Sequence, residues 1–480
     1  MRADEYSKFD GLGLAELVRG KKVSAAEVSA CATEAMRACN AELNFLVAET
    51  ASYAEKSLCE LGGDGAFLGV PTLIKDVGPR IGGIPQEMGC GMAQGLVPAE
   101  DSEIIRRFRR AGFIFLGRST TPELGMAYTT EPRTNGPTRN PWNLARSPGG
   151  SSGGAAAAVA SGAVPIALGG DTGGSIRVPA HCCGVFGLKP TRGRNPVGPE
   201  IAEGNSGLTA SHVLTRSVRD SAAALDATAG PDPGCRYFAP PPAVPFLQSV
   251  DRPRKGLRIA LSTRNFFGGN VDIEVKKSVV AAAHLCESLG HRVEEASPPT
   301  DPDELSDMLE IISAGNLYYG VRGLETRSGK RAGPELLEAF TVAMYKRGEK
   351  LSAGEFVANL ARMNQYSRAV GQFFTGYDAL LTPVFATPAP MLGEIRMDDD
   401  IPDIPAYIRD ILRVAAYTVQ FNFTGQPAMS VPLYQSASGL PIGVQFAARF
   451  AEEDVLFSLA GQLEKALPWH TRHPSIGVFA

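Results

Sequence analysis

Two glycine clusters that each hold a serine are the residues of this sequence best suited to chemistry. They are GGSSGG, which contains Ser151, and DTGGSIR, which contains Ser175. Glycines on both sides of a serine let backbone N–H groups approach a ligand closely. A serine held in such a turn is a candidate nucleophile beside an oxyanion hole. Either cluster taken alone also fits a purely structural turn.

Nucleotide binding is the other chemistry that glycine-rich turns perform. GGSSGG lacks the G-x-x-x-x-G-K-[ST] spacing of a phosphate-binding loop, and no G-x-G-x-x-G motif follows a predicted strand. We therefore do not expect a nucleotide site at either cluster.

A serine hydroxyl needs a base before it can act as a nucleophile. The chain has six histidines, and none is flanked by a convincing motif; His181, the nearest to Ser175, fits a packed side chain. Lysine can serve as the base when burial lowers its pKa. Lys75 ends the apolar segment GVPTLIKD, which favours burial. The alternative for Lys75 is an ion pair at a sheet end with its neighbour Asp76.

The elements that must position these residues alternate between helix and strand. GVPTLIKDV predicts a buried strand that ends at Lys75, and SEIIRRFRRAG and FIFLGRST predict a helix and the next strand. A helix is predicted from Gly153 to Ser161, beginning at the GGSSGG turn. DALLTPV, PAMSVPL and IGVQFAA predict strands of the same sheet that return late in the chain. The pattern predicts an α/β fold with one largely internal sheet.

The N-terminal region and a proline-rich stretch near the middle of the chain indicate how the domain is organised. Amphipathic helices are predicted over about residues 12–57, with a Ser24–Glu27 capping box. We expect a single domain over 1–480, with N-terminal helices to about 65 and a core over 66–230. A proline-rich connector over 231–256 then leads to the remaining sheet strands and a helical pocket region over 257–480.

Composition excludes several classes of protein. The chain has 480 residues, of which 44% are hydrophobic, as in globular proteins. A net charge of −4 provides no electrostatic case for nucleic acid or an anionic membrane. No N-terminal apolar segment indicates secretion, and no run is apolar enough to predict a membrane span. Eight cysteines match no zinc pattern, so we expect reduced thiols and a cytoplasmic location.

Several motifs taken together resemble the amidase signature family of serine amidohydrolases. They are SPGGSSGG, DTGGSIRVPA, CGVFGLKPTRGR and GVPTLIKD, with NPWN and GQPAMSVP, and the likeness extends from about residue 10 to 470. The resemblance implies an α/β/α sandwich around a mixed, mostly internal sheet. It also implies hydrolysis of carboxamides by a Ser–Ser–Lys triad, with no metal or organic cofactor.

The family's catalytic residues fall on intact positions of this sequence. The resemblance implies that Ser175 is the acylated nucleophile, that Ser151 relays its proton and that Lys75 is the general base. It also implies a cis peptide bond between Gly150 and Ser151. Ser152 would then support the turn through a hydrogen bond.

The second cluster is expected to form the oxyanion hole. The donors implied by the resemblance are the backbone N–H groups of Thr172, Gly173, Gly174 and Ser175. Asp171 and Arg177 are expected to brace this turn as a local ion pair. The substrate is expected to be a small-molecule amide, and a homodimer is left open.

The blocks TTEP, TRNPWNLARSPGGSSGG, LKPTRGR and TRSVRDSAAALD point to one branch of the family. They most resemble the branch that contains aminohexanoate cyclic-dimer hydrolase and aryl acylamidases, which implies a hydrophobic or aryl carboxamide. The rival is the glutaminase-type subunit of a tRNA-dependent amidotransferase, which usually carries an acidic residue before its late N-x-x-G-x-P motif. No acidic residue lies between Val414 and Pro427 here, which counts against glutamine.

Two further segments are expected to line the substrate pocket. Met126 in TPELGMAY is expected beside the acyl group, where a methionine suits an apolar or aryl moiety. The region of Ile312, Ser313 and Asn316 is expected to form another wall, with ordinary helix core or surface as the alternative.

Overall fold

The computed structural model describes residues 1–49, 51–59, 61–399 and 401–479. Within them the helices are α1 (Ala3–Tyr6), α2 (Gly11–Arg19), α3 (Ala25–Leu43), α4 (Ala51–Cys59), α5 (Glu103–Ala111), α6 (Gly153–Ala160), α7 (Arg177–Cys183), α8 (Val218–Thr228), α9 (Phe246–Val250), α10 (Ile273–Ser288), α11 (Pro302–Ser328), α12 (Ala339–Glu349), α13 (Ala353–Phe373), α14 (Ile404–Val414), α15 (Gln420–Thr424) and α16 (Glu453–Ala466). The strands are β1 (Leu46–Glu49), β2 (Pro71–Lys75), β3 (Ile114–Ser119), β4 (Ile166–Asp171), β5 (Phe186–Lys189), β6 (Ala210–Thr215), β7 (Arg258–Leu261), β8 (Arg292–Glu295), β9 (Ala379–Pro383), β10 (Ala428–Gln435) and β11 (Pro441–Ala448).

The strands form an eleven-stranded mixed sheet. Their order is β1-β3-β2-β4-β6-β5-β10-β11-β9-β7-β8, so strands from the first and second halves of the chain lie in one sheet. The pairs β2–β3, β2–β4, β7–β8 and β7–β9 are parallel, and the other neighbours are antiparallel. The predicted α/β fold with a mixed, mostly internal sheet is confirmed.

Burial on both faces explains the apolar sequences of the central strands. Every residue of β2, β3, β9 and β11 is buried, as expected where helices cover both faces. Alternate residues of β9 show the two layers: Ala379 and Leu381 join a cluster with α10 and α16, while Leu380 joins a cluster with α11 and α13. The sheet is therefore the middle layer of three.

The parallel strands β2 and β4 bring the predicted chemistry to one edge. They are neighbours in register, with Ile74 opposite Leu168. Lys75 is the last residue of β2 and Asp171 the last of β4. Because the carboxyl ends of parallel strands share an edge, Lys75 and the DTGGSIR turn after β4 begin side by side.

The N-terminal region differs in part from its prediction. Helices α2, α3 and α4 lie within the helical range predicted over 12–57, and the Ser24–Glu27 capping box is present. The prediction was wrong at Leu46–Glu49, which forms the edge strand β1 against β3, and Thr50 lies outside the described residues. Asn44 takes a left-handed conformation at φ 51°, which ends α3 before this strand.

The proline-rich connector lies against helices of the core. The proline-rich stretch 231–256 contains the short helix α9, which packs on α8 and α16. Among the described residues, no helix combines the length and apolar character that crossing a bilayer requires.

Candidate active site

Lys75 contacts the first glycine–serine cluster rather than a neighbouring carboxylate. Its side chain is buried, and Nζ donates to Ser151 Oγ at 2.7 Å and, more weakly, to the Gly170 carbonyl at 3.4 Å. The Asp76 carboxylate instead accepts the backbone N–H of Met88 at 2.8 Å. The geometry thus favours a lysine–serine pair over an ion pair at the sheet end.

Burial gives Lys75 the protonation behaviour of a base. Loss of hydration lowers the pKa of Lys75 to about 7, although the charge of Asp171 acts in the opposite direction. Near neutral pH a substantial fraction of Lys75 is therefore a neutral amine that can accept a proton. His181 is unsuited to that task because both its ring nitrogens are engaged, with the N–H of Gly443 and the carbonyl of Thr387.

The first cluster is a tightly packed turn tied to β4. The peptide bond between Gly150 and Ser151 is cis. The Ser152 hydroxyl donates to the Gly170 carbonyl at 3.1 Å and accepts the Gly170 N–H at 3.3 Å. A Cβ on Gly150 would lie 2.3 Å from the Thr129 carbonyl oxygen, so this position has no room for a side chain.

Ser175 lies in the second cluster, directly against the first. The backbone N–H of Ser152 donates to the Ser175 carbonyl at 3.1 Å. Ser175 is largely buried, and among the described residues its hydroxyl has no hydrogen-bond partner. The Ser175 side chain is therefore uncommitted, while the Ser151 hydroxyl is held by Lys75.

A buried ion pair braces the turn that carries Ser175. Arg177 donates to both carboxylate oxygens of Asp171, at 3.0 and 2.9 Å, and neither side chain is exposed. Burial alone would raise the pKa of Asp171, but the Arg177 charge and hydrogen bonds hold that pKa well below its usual range. The expected pair is present, and its bidentate geometry fixes the turn rigidly.

The four backbone N–H groups predicted to form an oxyanion hole differ in their hydrogen bonding. The Gly174 N–H donates to Asp171 Oδ1 at 2.8 Å, so the prediction that it faces an oxyanion was wrong. Of the four, the N–H groups of Thr172, Gly173 and Ser175 have no hydrogen-bond partner among the described residues. Gly174 has a φ of +136°, and a Cβ there would meet Thr418 Oγ1 at 2.3 Å.

Three polar side chains that the sequence analysis missed hold this turn from outside. Tyr128 and Thr418 both donate to the Gly173 carbonyl, at 3.1 and 2.6 Å. Asn422 donates to Asp171 Oδ1 at 2.9 Å and accepts from Arg177 at 2.7 Å. A visible clue was the spacing of Thr418 and Asn422, one helical turn apart within the apolar segment VAAYTVQFNF.

Two cavities meet at these residues. The larger, of about 290 Å³, is lined by Lys75 and Ser151, and the smaller, of about 100 Å³, by Gly173 and Ser175. The residues that line both are Gly125, Met126, Thr172 and Ser313. Met126 and Ser313 are therefore placed at the junction.

The remaining predicted wall residues belong to the larger cavity alone. Ile312 and Asn316 line it, and Asn316 is held by a hydrogen bond to Ser206 Oγ at 3.0 Å. The smaller cavity has an apolar wall that the sequence analysis did not identify, formed by Leu309, Phe340, Met344, Ile408, Ile411 and Leu412. This wall belongs to α11, α12 and α14, which only the tertiary fold brings together.

If cavity volume were the only criterion, the active site would be assigned to a different part of the molecule. A cavity of about 1010 Å³ lies where the two ends of the chain pack together, with Phe9, Arg216 and Phe479 among its lining residues. It shares no lining residue with the two cavities above, and it contains none of the predicted site residues. Side-chain chemistry therefore identifies the candidate active site better than volume does.

Comparisons with known proteins agree on one family. The sequence profile described as Amidase matches residues 27–457. The chain is 38% identical to 6-aminohexanoate-cyclic-dimer hydrolase of Pseudomonas sp. (strain NK87), over 97% of this chain and 96% of that protein. A solved structure of 6-aminohexanoate cyclic dimer hydrolase superposes with a TM-score of 0.93 at 34% identity, covering 98% and 99% of the two chains. A bacterial aryl acylamidase structure has a TM-score of 0.88 at 25% identity, covering 97% of each chain.

Proposed function

Since this chain belongs to the amidase family, whose members hydrolyse amide C–N bonds, we propose that it cleaves a hydrophobic or aryl carboxamide through Ser175, Ser151 and Lys75. The observation that carries the proposal is the 2.7 Å contact between Lys75 Nζ and Ser151 Oγ at a fully buried lysine. A buried amine with a pKa of about 7 and a hydroxyl as its partner has the properties of a general base.

In the first half of the reaction Ser175 Oγ bonds to the carbonyl carbon of the amide. Its proton passes to Ser151 Oγ, whose own proton passes to neutral Lys75 Nζ. The hydroxyls of Ser175 and Ser151 must come within hydrogen-bonding distance for this transfer, and catalytic contacts of this kind can tighten when substrate binds. The carbonyl oxygen then carries the negative charge of a tetrahedral intermediate.

In the second half the C–N bond breaks. The proton held by Lys75 returns through Ser151 to the leaving nitrogen, which departs as an amine and leaves an acyl ester on Ser175. Water then attacks the ester carbon and gives its proton to the same relay, and Ser175 Oγ recovers a proton as the carboxylic acid leaves. The relay ends each cycle with the protons it began with.

Backbone donors stabilise the developing charge. The free N–H groups of Thr172, Gly173 and Ser175 are the proposed oxyanion hole. Hydrogen bonds from Tyr128 and Thr418 fix the Gly173 carbonyl, so the neighbouring peptide planes cannot rotate freely. Loss of one donor from such a hole typically costs about 3 kcal/mol of transition-state stabilisation.

The nature of the acyl group follows from the smaller cavity. Ser175 lines this cavity, and its walls are apolar, with Phe340 and Met344 among them. An aryl or short aliphatic acyl group suits such a space. The names of the similar enzymes, a cyclic amide hydrolase and an aryl acylamidase, support the same substrate class.

Glutamine hydrolysis is less well supported. A site for glutamine needs a carboxylate to hold the α-ammonium group, and none of the described residues that line the two cavities is aspartate or glutamate. The absence of an acidic residue between Val414 and Pro427 agrees with this. We therefore propose a stand-alone amidase rather than an amidotransferase subunit.

Substitution of the nucleophile tests the proposal. We expect Ser175→Ala to lower kcat/KM on aryl anilides by about 1000-fold or more, because no acyl-enzyme can form. A fluorophosphonate should label Ser175 of the wild-type protein, as found by mass spectrometry of its peptides. Cyclic and linear aminohexanoate oligomers and glutamine complete the substrate panel.

Ser161→Ala is a matched control, because Ser161 is a buried serine whose hydroxyl donates only to a carbonyl of its own helix. It should retain activity and labelling. Wild-type turnover by Ser175→Ala, or faster cleavage of glutamine than of any anilide, would contradict the proposed function.

A further inference from the structure

The larger cavity extends away from the catalytic residues along one face of α11. Ile312, Asn316, Leu317, Val321, Leu324 and Arg327 all line it, at spacings that place them on one side of the helix. Ile312 and Arg327 are separated by about 22 Å along the helix axis at the usual rise per residue. Ser313, at the inner end, also lines the cavity of Ser175, so Arg327 marks the outer end.

The walls of this channel have many apolar side chains, although Asn205, Thr209 and Asn316 also line it. The apolar side chains that line it include Met88, Leu124, Leu317, Val321 and Leu324. A channel of this kind fits an extended hydrocarbon chain. A cation at the mouth of the channel can then distinguish substrates by the charge at the end of that hydrocarbon chain.

Arg327 forms no ion pair with any described residue. It is exposed, and its only hydrogen bond among the described residues is from Nε to the Gly323 carbonyl at 3.3 Å. None of the described residues that line the channel is acidic, and none forms an ion pair with Arg327. Arg80 lies close to Arg327, since burial lowers the pKa of Arg80 and the charge of Arg327 lowers it further, but Arg80 is itself paired with Glu200.

The proposed reaction decides which half of the substrate enters the channel. The leaving nitrogen must take its proton from Ser151, and Ser151 and Lys75 line this cavity. The acyl group must stay on Ser175, which lines the smaller cavity. The amine half of the amide therefore extends towards Arg327.

We propose that Arg327 selects amides whose amine half is an aliphatic chain ending in a carboxylate, a substrate class that rests on the function proposed above. In the hydrolysis, water adds across the C–N bond of R–CO–NH–(CH2)n–COO⁻. The products are the carboxylate R–COO⁻ and an ω-amino acid, whose new amine is protonated to the ammonium form and whose chain keeps its carboxylate. The Arg327 side chain leans back towards the helix N-terminus, which leaves about 15 Å to span. That distance corresponds to roughly 12 bonds of extended chain.

The test compares two benzamides of equal length in the wild-type protein and in Arg327→Gln. N-Benzoyl-11-aminoundecanoate carries the carboxylate, and N-undecylbenzamide lacks it. We expect wild-type kcat/KM to favour the carboxylate substrate by about five- to tenfold, through KM, and to lose this preference as salt is raised. In Arg327→Gln the ratio should fall to about one, and Arg327→Glu should reverse it. N-Benzoyl-6-aminohexanoate is too short to reach Arg327, so its kcat/KM should differ little from that of N-hexylbenzamide, which lacks the carboxylate.

Arg322→Gln is the control, because Arg322 is an exposed arginine of the same helix that pairs with Glu325 instead of lining the channel. It should leave the ratio unchanged. Equal kcat/KM for both long benzamides, unaffected by Arg327→Gln, would overturn this inference and leave the proposed function standing. Failure of the wild-type protein to cleave either benzamide would instead contradict the proposed function and the inference with it.

Discussion

Two lysines of this protein are both buried and both have a lowered pKa, but their side chains contact different groups. Lys75 ends β2 and Lys189 ends β5, and both side chains are buried. Burial lowers the pKa of Lys75 to about 7, and burial together with the Arg177 charge lowers the pKa of Lys189 to about 7 as well. A depressed pKa therefore does not by itself identify the base.

Contacts and access separate the two lysines. Lys75 Nζ lies on a serine hydroxyl and lines the larger cavity. Lys189 Nζ donates to the carbonyl of Pro190 at 2.8 Å, and Lys189 lines neither cavity of the candidate site. A carbonyl can accept a hydrogen bond but has no proton to give, so Lys189 has no reaction to take part in. Perturbed pKa values point to functional sites only when geometry agrees.

Replacing each lysine by methionine should produce the largest difference in activity. Lys75→Met removes the proposed base, and we expect kcat/KM on an aryl anilide to fall by about 1000-fold or more. Lys189→Met should stay within about tenfold of the wild-type value, since its Nζ faces only a backbone carbonyl. Methionine preserves most of the side-chain volume, and circular dichroism should show that both variants fold. Comparable losses in the two variants would remove the distinction drawn between them.

The adjacent serines Ser151 and Ser152 provide the same kind of comparison at the next step of the proposed relay. Ser151→Ala removes the hydroxyl that Lys75 contacts, and we expect kcat/KM to fall by about 100- to 1000-fold with little change in Tm. Ser152→Ala removes two hydrogen bonds to Gly170, so it should lower Tm by a few degrees and kcat/KM by less than about tenfold. Steady-state kinetics and thermal unfolding of both variants provide the comparison. If Ser152→Ala lost more activity than Ser151→Ala, the relay would have to be reassigned.

The sequence predicted those elements of the fold that have strong local patterns. The continuous apolar runs of β2 and β3 and the late strands β9, β10 and β11 were predicted correctly. Strand β6, ASHVLT, escaped prediction because some of its buried residues are polar: His212 is satisfied by Ser221 Oγ at 2.9 Å, a contact made only in the folded chain. The strand order depends on such long-range pairing, which local periodicity does not encode.

The candidate site shows the same limit. Ser151, Ser175 and Lys75 were found from residue types and motif resemblance, and the structure brings them to one edge of the sheet. The commitment of the Gly174 N–H to Asp171 depends on the exact path of a four-residue turn, so sequence could not reveal it. Lys189 was missed for a related reason, since nothing in FGLKP indicates that its amine is buried as deeply as that of Lys75.

The two lysines should affect the pH dependence of the free energy of unfolding in the same way, although they differ in their expected effect on activity. Lys189 has a pKa of about 7 in the folded chain and close to 10.5 when unfolded, so between these values only the unfolded state holds the proton. The stability present above pH 10.5 is thus lost as pH falls towards 7, by about 1.4 kcal/mol per pH unit. Lys189→Met abolishes this titration, so its free energy of unfolding relative to wild type should be most favourable at pH 7 and decline as pH rises to 10.

Denaturant midpoints of wild type and both methionine variants between pH 7 and 10 would measure this effect. Lys75→Met should follow the same trend as Lys189→Met, because burial is the dominant cause of both pKa shifts. Curves for Lys189→Met and wild type that run parallel over this range would mean that Lys189 is charged in the folded protein. Lys189 would then resemble Lys75 in burial but not in pKa, and a lowered lysine pKa would be enough to identify the base.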